Sequence, residues 1–212
     1  MRIIDLSHEI APAMPTFPGT RPPVFRPANT IDDDGFREMR VDLCTHTGTH
    51  IDSPFHVFPE GRALDSFDAD HFFGRATMVD LRSIRSKDIG LDLLKRDGPS
   101  IRDSDFLLIH TGWQGRWGTD SYFEGFPSLS AEAAEWLSGM DLKGVGVDAI
   151  SIDDIGSVDL EVHKTLLASD ILIIENLNSL DNIRASSFFF SCMPLRLKDA
   201  DGSPIRAYAM EE

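Results

Sequence analysis

The chain has 212 residues, 42% of them hydrophobic, which is enough for one domain with a substantial core. Its formal net charge of −15 would repel nucleic acid and anionic membrane surfaces, so we expect neither as a partner. Two cysteines are too few for a disulfide framework, and free thiols in a reducing compartment are expected. The first residues lack the apolar core of a secretory signal, and no run approaches the roughly 20 apolar residues of a membrane span. These features predict a cytoplasmic protein with a single domain over residues 1–212.

Short apolar runs alternate with clusters of Gly, Pro, Asp and Ser along the chain. The runs rich in β-branched and aromatic residues predict strands at 2–6, 37–43, 76–81, 105–110, 144–147 and 171–174. Apolar residues at helical spacing predict helices at 86–96, 130–140 and 161–168, with Ser130 as the cap of the second. Because several strands follow one another in the first third, the sequence predicts a compact α/β domain with a mixed sheet flanked by helices.

The segment that joins the first two predicted strands has a distinct composition. Residues 10–36 hold six prolines and include the acidic triplet Asp32-Asp33-Asp34. Proline fixes one backbone dihedral and removes a hydrogen-bond donor, so the segment predicts a loop or an arm. Segments of this kind often line a binding site or reach a neighbouring subunit.

The most informative stretch begins at His46 and reads HTGTHIDSPFH. It places the imidazoles of His46, His50 and His56 and the carboxylate of Asp52 within eleven residues. Imidazole nitrogen and carboxylate oxygen suit zinc, and three protein ligands with an open position are typical of a catalytic site. The composition disfavours a helix, and on an ideal strand residues four apart are separated by about 13 Å. We therefore predict a bend at Gly48, after which His46, His50 and Asp52 face one point.

Two further residues are candidate ligands. His163 precedes Leu166 and Leu167 by three and four positions in the third predicted helix, and so points to the interior. Glu175 ends a buried apolar strand, where a carboxylate needs a partner. Taken alone, such a histidine is more often a hydrogen-bonded core residue, and such a glutamate more often binds loop amides. Three nearby polar residues are interpreted as turn residues or as partners of the ligands: Asp148, Ser151 and Asp153.

Two other interpretations of the motif stay open. Cys44 lies two residues before His46 and could form a thiol–imidazole pair, although the chain has no Gly-x-Ser-x-Gly elbow. Alternatively, all four motif residues could close the coordination sphere of a structural, non-catalytic metal. Sensitivity to alkylation or to chelation separates thiol catalysis from metal catalysis, and an open coordination position separates a catalytic metal from a structural one.

The sequence also resembles a known family. The stretch HTGTHIDSPFH matches the approximate pattern His-x-Gly-Thr-His-x-Asp-x-Pro-x-His of the cyclase-like metal-dependent hydrolases, which include bacterial kynurenine formamidase and isatin hydrolase. Further similar stretches are IIDLSHEI, MPTFPG, LLIHTGW, VGVDAISID and IENLN, so the resemblance covers nearly the whole chain. It implies a compact domain of the swivelling β/β/α type, assembled as a homodimer or homotetramer whose N-terminal segments cross between subunits.

The resemblance implies a metal set as well. In kynurenine formamidase, residues matching His46, His50 and Asp52 bind one zinc ion, and those matching Asp52, His163 and Glu175 bind a second. Asp52 would then bridge the two. One or two zinc ions per subunit are therefore expected, with manganese as the alternative for this nitrogen and oxygen donor set.

The implied reaction is hydrolysis of a small aromatic amide. N-formylkynurenine, an intermediate of tryptophan catabolism, is the first candidate substrate, and isatin or another cyclic or aryl amide is the alternative. Metal-activated water would attack the carbonyl, and His56, which matches the family's proton donor and acceptor, would serve the leaving amine. Where the formamidase has tryptophan in a Met-Pro-x-Trp-Pro-Gly setting, this chain has Phe17. Phe17, Phe55 and Trp113 are the candidates for an aromatic pocket.

Overall fold

The computed structural model describes residues 1–211. The strands are β1 (Arg2–Asp5), β2 (Val24–Asn29), β3 (Glu38–Asp42), β4 (His50–Asp52), β5 (Phe73–Asp80), β6 (Asp88–Ile89), β7 (Phe106–His110), β8 (Ser128–Leu129), β9 (Gly144–Val147), β10 (Leu172–Glu175), β11 (Ser187–Ser191), β12 (Gly202–Pro204) and β13 (Tyr208–Glu211). The helices are α1 (Ile31–Asp34), α2 (Leu91–Lys95), α3 (Gly98–Arg102), α4 (Ala131–Ser138) and α5 (Glu161–Leu167). Within these residues, no helix combines the length and the apolar character needed to cross a membrane.

A nine-stranded sheet organises the domain, in the order β1-β13-β11-β5-β7-β9-β10-β4-β12. The central strands β5, β7, β9 and β10 run parallel, and the other neighbouring pairs are antiparallel. Every residue of β7, β9 and β10 is buried, because parallel strands are covered on both faces and so carry nearly continuous apolar runs. The predicted α/β class and the mixed sheet are confirmed.

Alternate residues of the central strands supply cores on the two faces of the sheet. Leu107, Val145 and Ile173 pack with apolar residues of α4 and α5 on one face. Their neighbours Phe106 and Leu172 pack on the other face with residues of β1, β11 and β13. The helix α5, which carries His163, is thereby held against the sheet beside β10.

Segment 10–36 contains more structure than the predicted loop or arm. It includes β2 and α1, and β2 pairs with β3 in a two-stranded ribbon separate from the main sheet. The register of that pairing shifts between Pro27 and Asn29, which accommodates the missing N–H of proline. Every residue of β3 is exposed, so the predicted strand at 37–43 belongs to this ribbon and not to the core.

The predicted helix at 86–96 is wrong in its first half. Asp88 and Ile89 form β6, which pairs with β8, and α2 begins only after Gly90. Ile89 is fully buried, so its packing overrides the helical spacing of the apolar residues. The sequence also predicts no strand after Glu175, yet β11, β12 and β13 extend the sheet on both sides of its parallel centre.

Candidate metal centre

The motif adopts the bend that the sequence predicts. His46 lies in a turn, Gly48 has a φ of +68°, and His50 begins β4. A side chain at Gly48 would strain this backbone, and its Cβ would meet Met14 Cε at 3.1 Å. The bend returns the ring of His46 towards the strand that carries Asp52.

Three side chains of the motif converge. Nδ1 of His46 lies 2.6 Å from Oδ1 of Asp52, and Nε2 of His50 lies 3.3 Å from the same oxygen. His50 and Asp52 are buried, whereas His46 is partly exposed. Ligand atoms of the three residues lie within 4.8 Å of one another, a spacing that suits a single metal ion.

His163 and Glu175 join the same cluster from α5 and β10. Nε2 of His163 lies 3.3 Å from Oε1 of Glu175 and 3.7 Å from Oδ2 of Asp52. His50 pairs with Glu175 across β4 and β10, and its Nε2 lies 3.5 Å from Oε2 of Glu175. Asp52 is therefore shared, because one of its oxygens faces His46 and His50 and the other faces His163.

Hydrogen bonds outside the cluster fix the ring of His50. Its Nδ1 donates to the carbonyl oxygen of Gly48 at 2.8 Å, and the same oxygen accepts from Nδ2 of Asn176 at 2.9 Å. The hydroxyl of Tyr122 in turn donates to Oδ1 of Asn176 at 2.7 Å. With the proton of His50 on Nδ1, Nε2 is left as a free ligand atom that faces Asp52.

Asp153 orients His163 in the same way. Oδ2 of Asp153 accepts from Nδ1 of His163 at 2.6 Å, and its carboxylate also accepts from the backbone amides of Val162 and His163. Burial opposes the charge of Asp153, but the bonds from His163 outweigh it and lower the pKa of the carboxyl. Asp153 is therefore a partner of a candidate ligand rather than only a turn residue.

His56 and Asp201 lie beside His46, on the more exposed side of the cluster. The ring centroid of His56 lies 4.0 Å from that of His46 and 5.8 Å from that of His163. Oδ2 of Asp201 accepts from Nε2 of His46 at 3.0 Å and lies 3.8 Å from Nδ1 of His56. No local pattern identifies Asp201, which follows His46 by 155 positions and comes near it only because β12 pairs with β4.

The donor set fits a divalent cation. Two buried carboxylates, those of Asp52 and Glu175, face the imidazoles of His46, His50 and His163. Within residues 1–211, Oδ2 of Asp52 is buried and has no hydrogen-bond partner. A buried carboxylate without compensation is costly, and coordination to a metal ion removes that cost. These residues therefore form a candidate metal centre of nitrogen and oxygen ligands.

The carboxylates also draw protons to the histidines when no cation is bound. Burial disfavours a charged His46, but the Asp52 carboxylate and the bond to Asp201 outweigh it and raise the pKa of His46 to about 10. Burial of His163 is likewise outweighed, mainly by its bond to Asp153, so that the pKa of His163 lies well above its usual value. The negative charge of the buried carboxylates therefore favours binding of a cation at this site.

A cavity of about 280 Å³ opens onto the cluster. Phe17 and Thr20, from the segment before the ribbon, form part of its wall, together with Ile150 and Leu160. Leu160 has a φ of +50°, in the left-handed region, at the position where α5 begins. The cavity is therefore bounded by apolar side chains around a polar floor, the arrangement that small-molecule sites typically show.

The structure does not bring the other two predicted pocket residues to this cavity. Trp113 is buried, donates from Nε1 to the carbonyl oxygen of Tyr122 at 2.8 Å and packs against Phe126. Phe55 lies on a different surface groove, beside Arg62. Phe55 lies within the motif and Trp113 within the stretch LLIHTGW, but neither side chain reaches the cavity.

Cys44 does not form the pair with His46 that thiol catalysis requires. It is exposed, while both ring nitrogens of His46 contact carboxylates, those of Asp52 and Asp201. Cys192 is fully buried, and burial raises the pKa of its thiol far above the usual range. Neither cysteine is therefore placed as an activated nucleophile.

The chain is similar to several known proteins. The Cyclase family matches residues 4–154. Kynurenine formamidase of Bacillus cytotoxicus is 32% identical over 205 residues, which cover 96% of this chain and 95% of that protein. A solved structure described as a predicted metal-dependent hydrolase of Bacillus stearothermophilus has a TM-score of 0.83 at 27% identity, covering 100% of this chain and 98% of that one. Isatin hydrolase A of Labrenzia aggregata bound to benzyl benzoate shares the fold, with a TM-score of 0.87 at 22% identity over 99% and 93% of the two chains.

The range that matches the family contains the motif. The matched range includes the motif from His46 to His56, and the structure places its histidines and Asp52 in one cluster. The match covers more than half of the 212 residues. This protein therefore belongs to the Cyclase family.

Proposed function

We propose that this protein is an arylformamidase that hydrolyses N-formylkynurenine to kynurenine and formate. The observation that carries the proposal is the convergence of a metal-ligand cluster and a further histidine, His56, on one small cavity. The similarity to kynurenine formamidase over 96% of this chain supports the choice of substrate class.

The residues of the cluster divide into two candidate metal sets. His46, His50 and Asp52 would hold one ion, and Asp52, His163 and Glu175 would hold a second. Zinc is the proposed ion, with manganese as the alternative for the same donors. When bound, such an ion supplies Lewis acidity, which polarises a carbonyl group and makes water nucleophilic near neutral pH. Elemental analysis of the purified protein identifies the ion and its stoichiometry.

His56 is the proposed general acid and base. Its side chain is 28% exposed and lines the cavity beside the cluster. In the hydrolysis, a C–O bond forms between water and the formyl carbon, the C–N bond breaks, and one proton passes from the water to the departing aryl amine. Imidazole is the side chain best suited to accept and then donate that proton near neutral pH.

Phe17 is the proposed contact for the aromatic ring of the substrate. It lines the cavity and is 40% exposed, so its face is available for stacking. Phenylalanine keeps the aromatic face of the tryptophan found in the formamidase, but it lacks the indole N–H. Phe55 and Trp113 are left out of the proposed pocket because they lie outside the cavity.

Parallel turnover assays on N-formylkynurenine and isatin test the assignment. We expect the metal-loaded protein to show the higher kcat/KM on N-formylkynurenine. A preference for isatin would assign the second candidate function, hydrolysis of a cyclic amide, which the fold shared with isatin hydrolase A favours. Absence of turnover on either compound, with metal bound and no open coordination position, would assign a structural metal site instead.

The ribbon supports assembly into a homo-oligomer. Phe25 lies opposite Val41 and Pro27 opposite Met39, so that these four apolar side chains share one face. Met39 is 57% exposed and Val41 43%. A two-stranded ribbon is only marginally stable alone, and an uncovered apolar face calls for a partner. We therefore propose a homodimer or homotetramer in which the ribbon contacts a second copy of the chain.

A further inference from the structure

Asp201 lies outside both candidate metal sets, yet the backbone holds it firmly beside them. Its carbonyl oxygen accepts hydrogen bonds from the amide of Ser53 at 2.9 Å and from the hydroxyl of Ser53 at 3.0 Å. The next residue, Gly202, pairs with Asp52 across β12 and β4. Asp201 is therefore fixed relative to the shared ligand Asp52.

The carboxylate of Asp201 faces two imidazoles. Oδ2 accepts from Nε2 of His46 at 3.0 Å and lies 3.8 Å from Nδ1 of His56. Because Nδ1 of His46 faces Asp52, Asp201 holds the ring nitrogen that points away from the candidate metal position. A carboxylate in that place sets the tautomer and the orientation of a metal-binding imidazole.

Gly202 provides the second observation, because the ring of His46 packs directly on it. A Cβ at position 202 would lie 2.6 Å from Cε1 and 2.8 Å from Nε2 of His46. The backbone of Gly202 is outside the left-handed region, so the glycine is required here by space and not by conformation. Asp201 and Gly202 together form the surface against which the His46 ring is placed.

We propose that Asp201 is a positioning residue that serves His46 and His56 at once. It orients His46 towards the metal position and holds His56 beside the cavity. The second part rests on the proposed function, in which His56 moves a proton, whereas the first part requires only a metal ion. A ligand role is the competing assignment, because ligand atoms of His46, His56 and Asp201 also lie within 4.8 Å of one another.

Metal affinity tests the first part. Asp201→Asn keeps the shape of the side chain and removes its charge. The matched control is Asp199→Asn, since Asp199 is an exposed acid that contacts Lys198 at 3.8 Å and has a left-handed φ of +53°, which asparagine tolerates. In competition with a chelator, we expect Asp201→Asn to bind zinc about 10–100-fold more weakly and the control to match the wild type.

Two results of the competition would overturn the positioning role. One is an equal zinc affinity of the Asp201→Asn and Asp199→Asn proteins. The other is loss of one equivalent of bound zinc from Asp201→Asn with unchanged affinity for the remainder, which would make Asp201 a ligand.

A double-mutant cycle with His56 tests the second part. At saturating zinc, Asp201→Asn should lower kcat on N-formylkynurenine about 10-fold or more while KM changes little. In a His56→Gln background the same change should lower kcat no further, because the group that Asp201 positions is gone. Equal losses in both backgrounds would overturn this part, since they would show that Asp201 acts independently of His56.

A second variant covers the case in which Asp201→Asn does not fold. Gly202→Ala keeps the carboxylate but displaces the His46 ring, so it should also weaken zinc binding. Gly90→Ala is its control, because a Cβ there meets nothing within 4 Å. Wild-type zinc affinity in Gly202→Ala would contradict the inference.

Failure of the proposed function can be distinguished from failure of this inference. If the wild type does not hydrolyse N-formylkynurenine, only the proposed function is wrong, and the competition experiment still decides whether Asp201 positions His46.

Discussion

Among single residues, Asn176 shows how the centre depends on groups outside the two candidate metal sets. It follows Glu175 with a φ of +58°, a left-handed conformation that asparagine adopts more readily than most residues. Its amide connects the hydroxyl of Tyr122 to the carbonyl oxygen of Gly48, which also accepts from His50. One side chain therefore fixes both the bend of the motif and the orientation of a candidate ligand.

Replacing His56 should separate metal binding from turnover. His56→Ala removes the proposed acid and base but none of the residues in the two candidate metal sets. We expect the variant to keep its full zinc content and to lose about 10²–10⁴-fold in kcat, the usual contribution of general acid–base catalysis. Elemental analysis and steady-state kinetics measure the two quantities. Near-wild-type turnover would show that His56 only orients its neighbours.

His8 should make the protein less stable in mild acid. Its ring stacks on Trp117 at 3.8 Å, and burial lowers the pKa of His8 to about 4. The unfolded chain, with a histidine pKa of about 6.5, then binds the proton more tightly than the folded one. The contribution of the neutral ring is complete above pH 6.5 and is lost as the pH falls towards 4.

His8→Phe keeps an aromatic ring against Trp117 and removes the titration. Denaturant unfolding at a series of pH values should therefore show a smaller loss of unfolding free energy between pH 6.5 and 4 in His8→Phe than in the wild type. Acid release of bound metal affects both proteins and cancels in the difference. Identical pH dependences would show that His8 is not neutral when the chain is folded.

At the level of secondary structure elements, the sequence predicts β7, β9 and β10 because each of them is a nearly continuous apolar run. The two strands at the edge of the sheet beside the metal centre, β4 and β12, are not predicted in this way. β4 is the short triplet His-Ile-Asp, in which only Ile51 is apolar, and β12 is the triplet Gly-Ser-Pro, so neither is an apolar run of the kind that predicts a strand. Their conformation comes from pairing with β10 and with each other.

The same difference decides which site residues the sequence can identify. His46, His50 and Asp52 lie within seven positions, and local spacing is enough to predict that they meet. Asp201 and Asn176 lie far from the motif in sequence. They come close to it because β12 and β10 pair with β4, and no local pattern predicts this pairing. For His163 and Glu175, local patterns predict that the side chains are buried. That they lie beside His50 and Asp52 is predicted only by the family resemblance.

A methyl group at the centre of the sheet should be destabilising. Gly146 lies in β9, and a Cβ there would approach Leu177 Cδ1 at 2.7 Å and Leu108 Cδ2 at 2.8 Å. We expect Gly146→Ala to lower the unfolding free energy by about 1–3 kcal/mol, the usual cost of overpacking. Gly90→Ala, with open space around its Cβ, should stay within about 0.5 kcal/mol of the wild type in the same urea titration. Equal midpoints for the two variants would contradict the packing argument.

For the whole molecule, removal of the metal should lower thermal stability. When no cation is bound, only protons on the neighbouring histidines compensate the buried carboxylates of Asp52 and Glu175. Zinc at 100 times its Kd would stabilise the folded state by about 2.7 kcal/mol, which corresponds to about 5–10 °C in Tm for a chain of this size. Calorimetry of chelated and reloaded protein measures the shift. Magnesium, which prefers oxygen ligands, should not restore it, and an unchanged Tm after complete chelation would contradict a built metal centre.

The ribbon should determine the oligomeric state. Met39→Lys with Val41→Lys places two charges on its apolar face, so we expect light scattering to show a shift from oligomer to monomer. Arg26→Ala with Arg40→Ala changes the opposite face of the same strand pair and serves as the control. A monomeric wild type, or a Lys variant that stays oligomeric, would assign the assembly to another surface.

The pairing of β4 with β12 has a consequence for biosynthesis. Synthesis proceeds from the N-terminus, so His46, His50 and Asp52 emerge long before the strand that flanks them and before the acid at position 201. Until then β4 has an open edge, where backbone groups lack partners. A polypeptide that stops before β12 therefore lacks both the strand that covers this edge and the acid beside His46, and we expect it to bind metal more weakly than the chain that contains them.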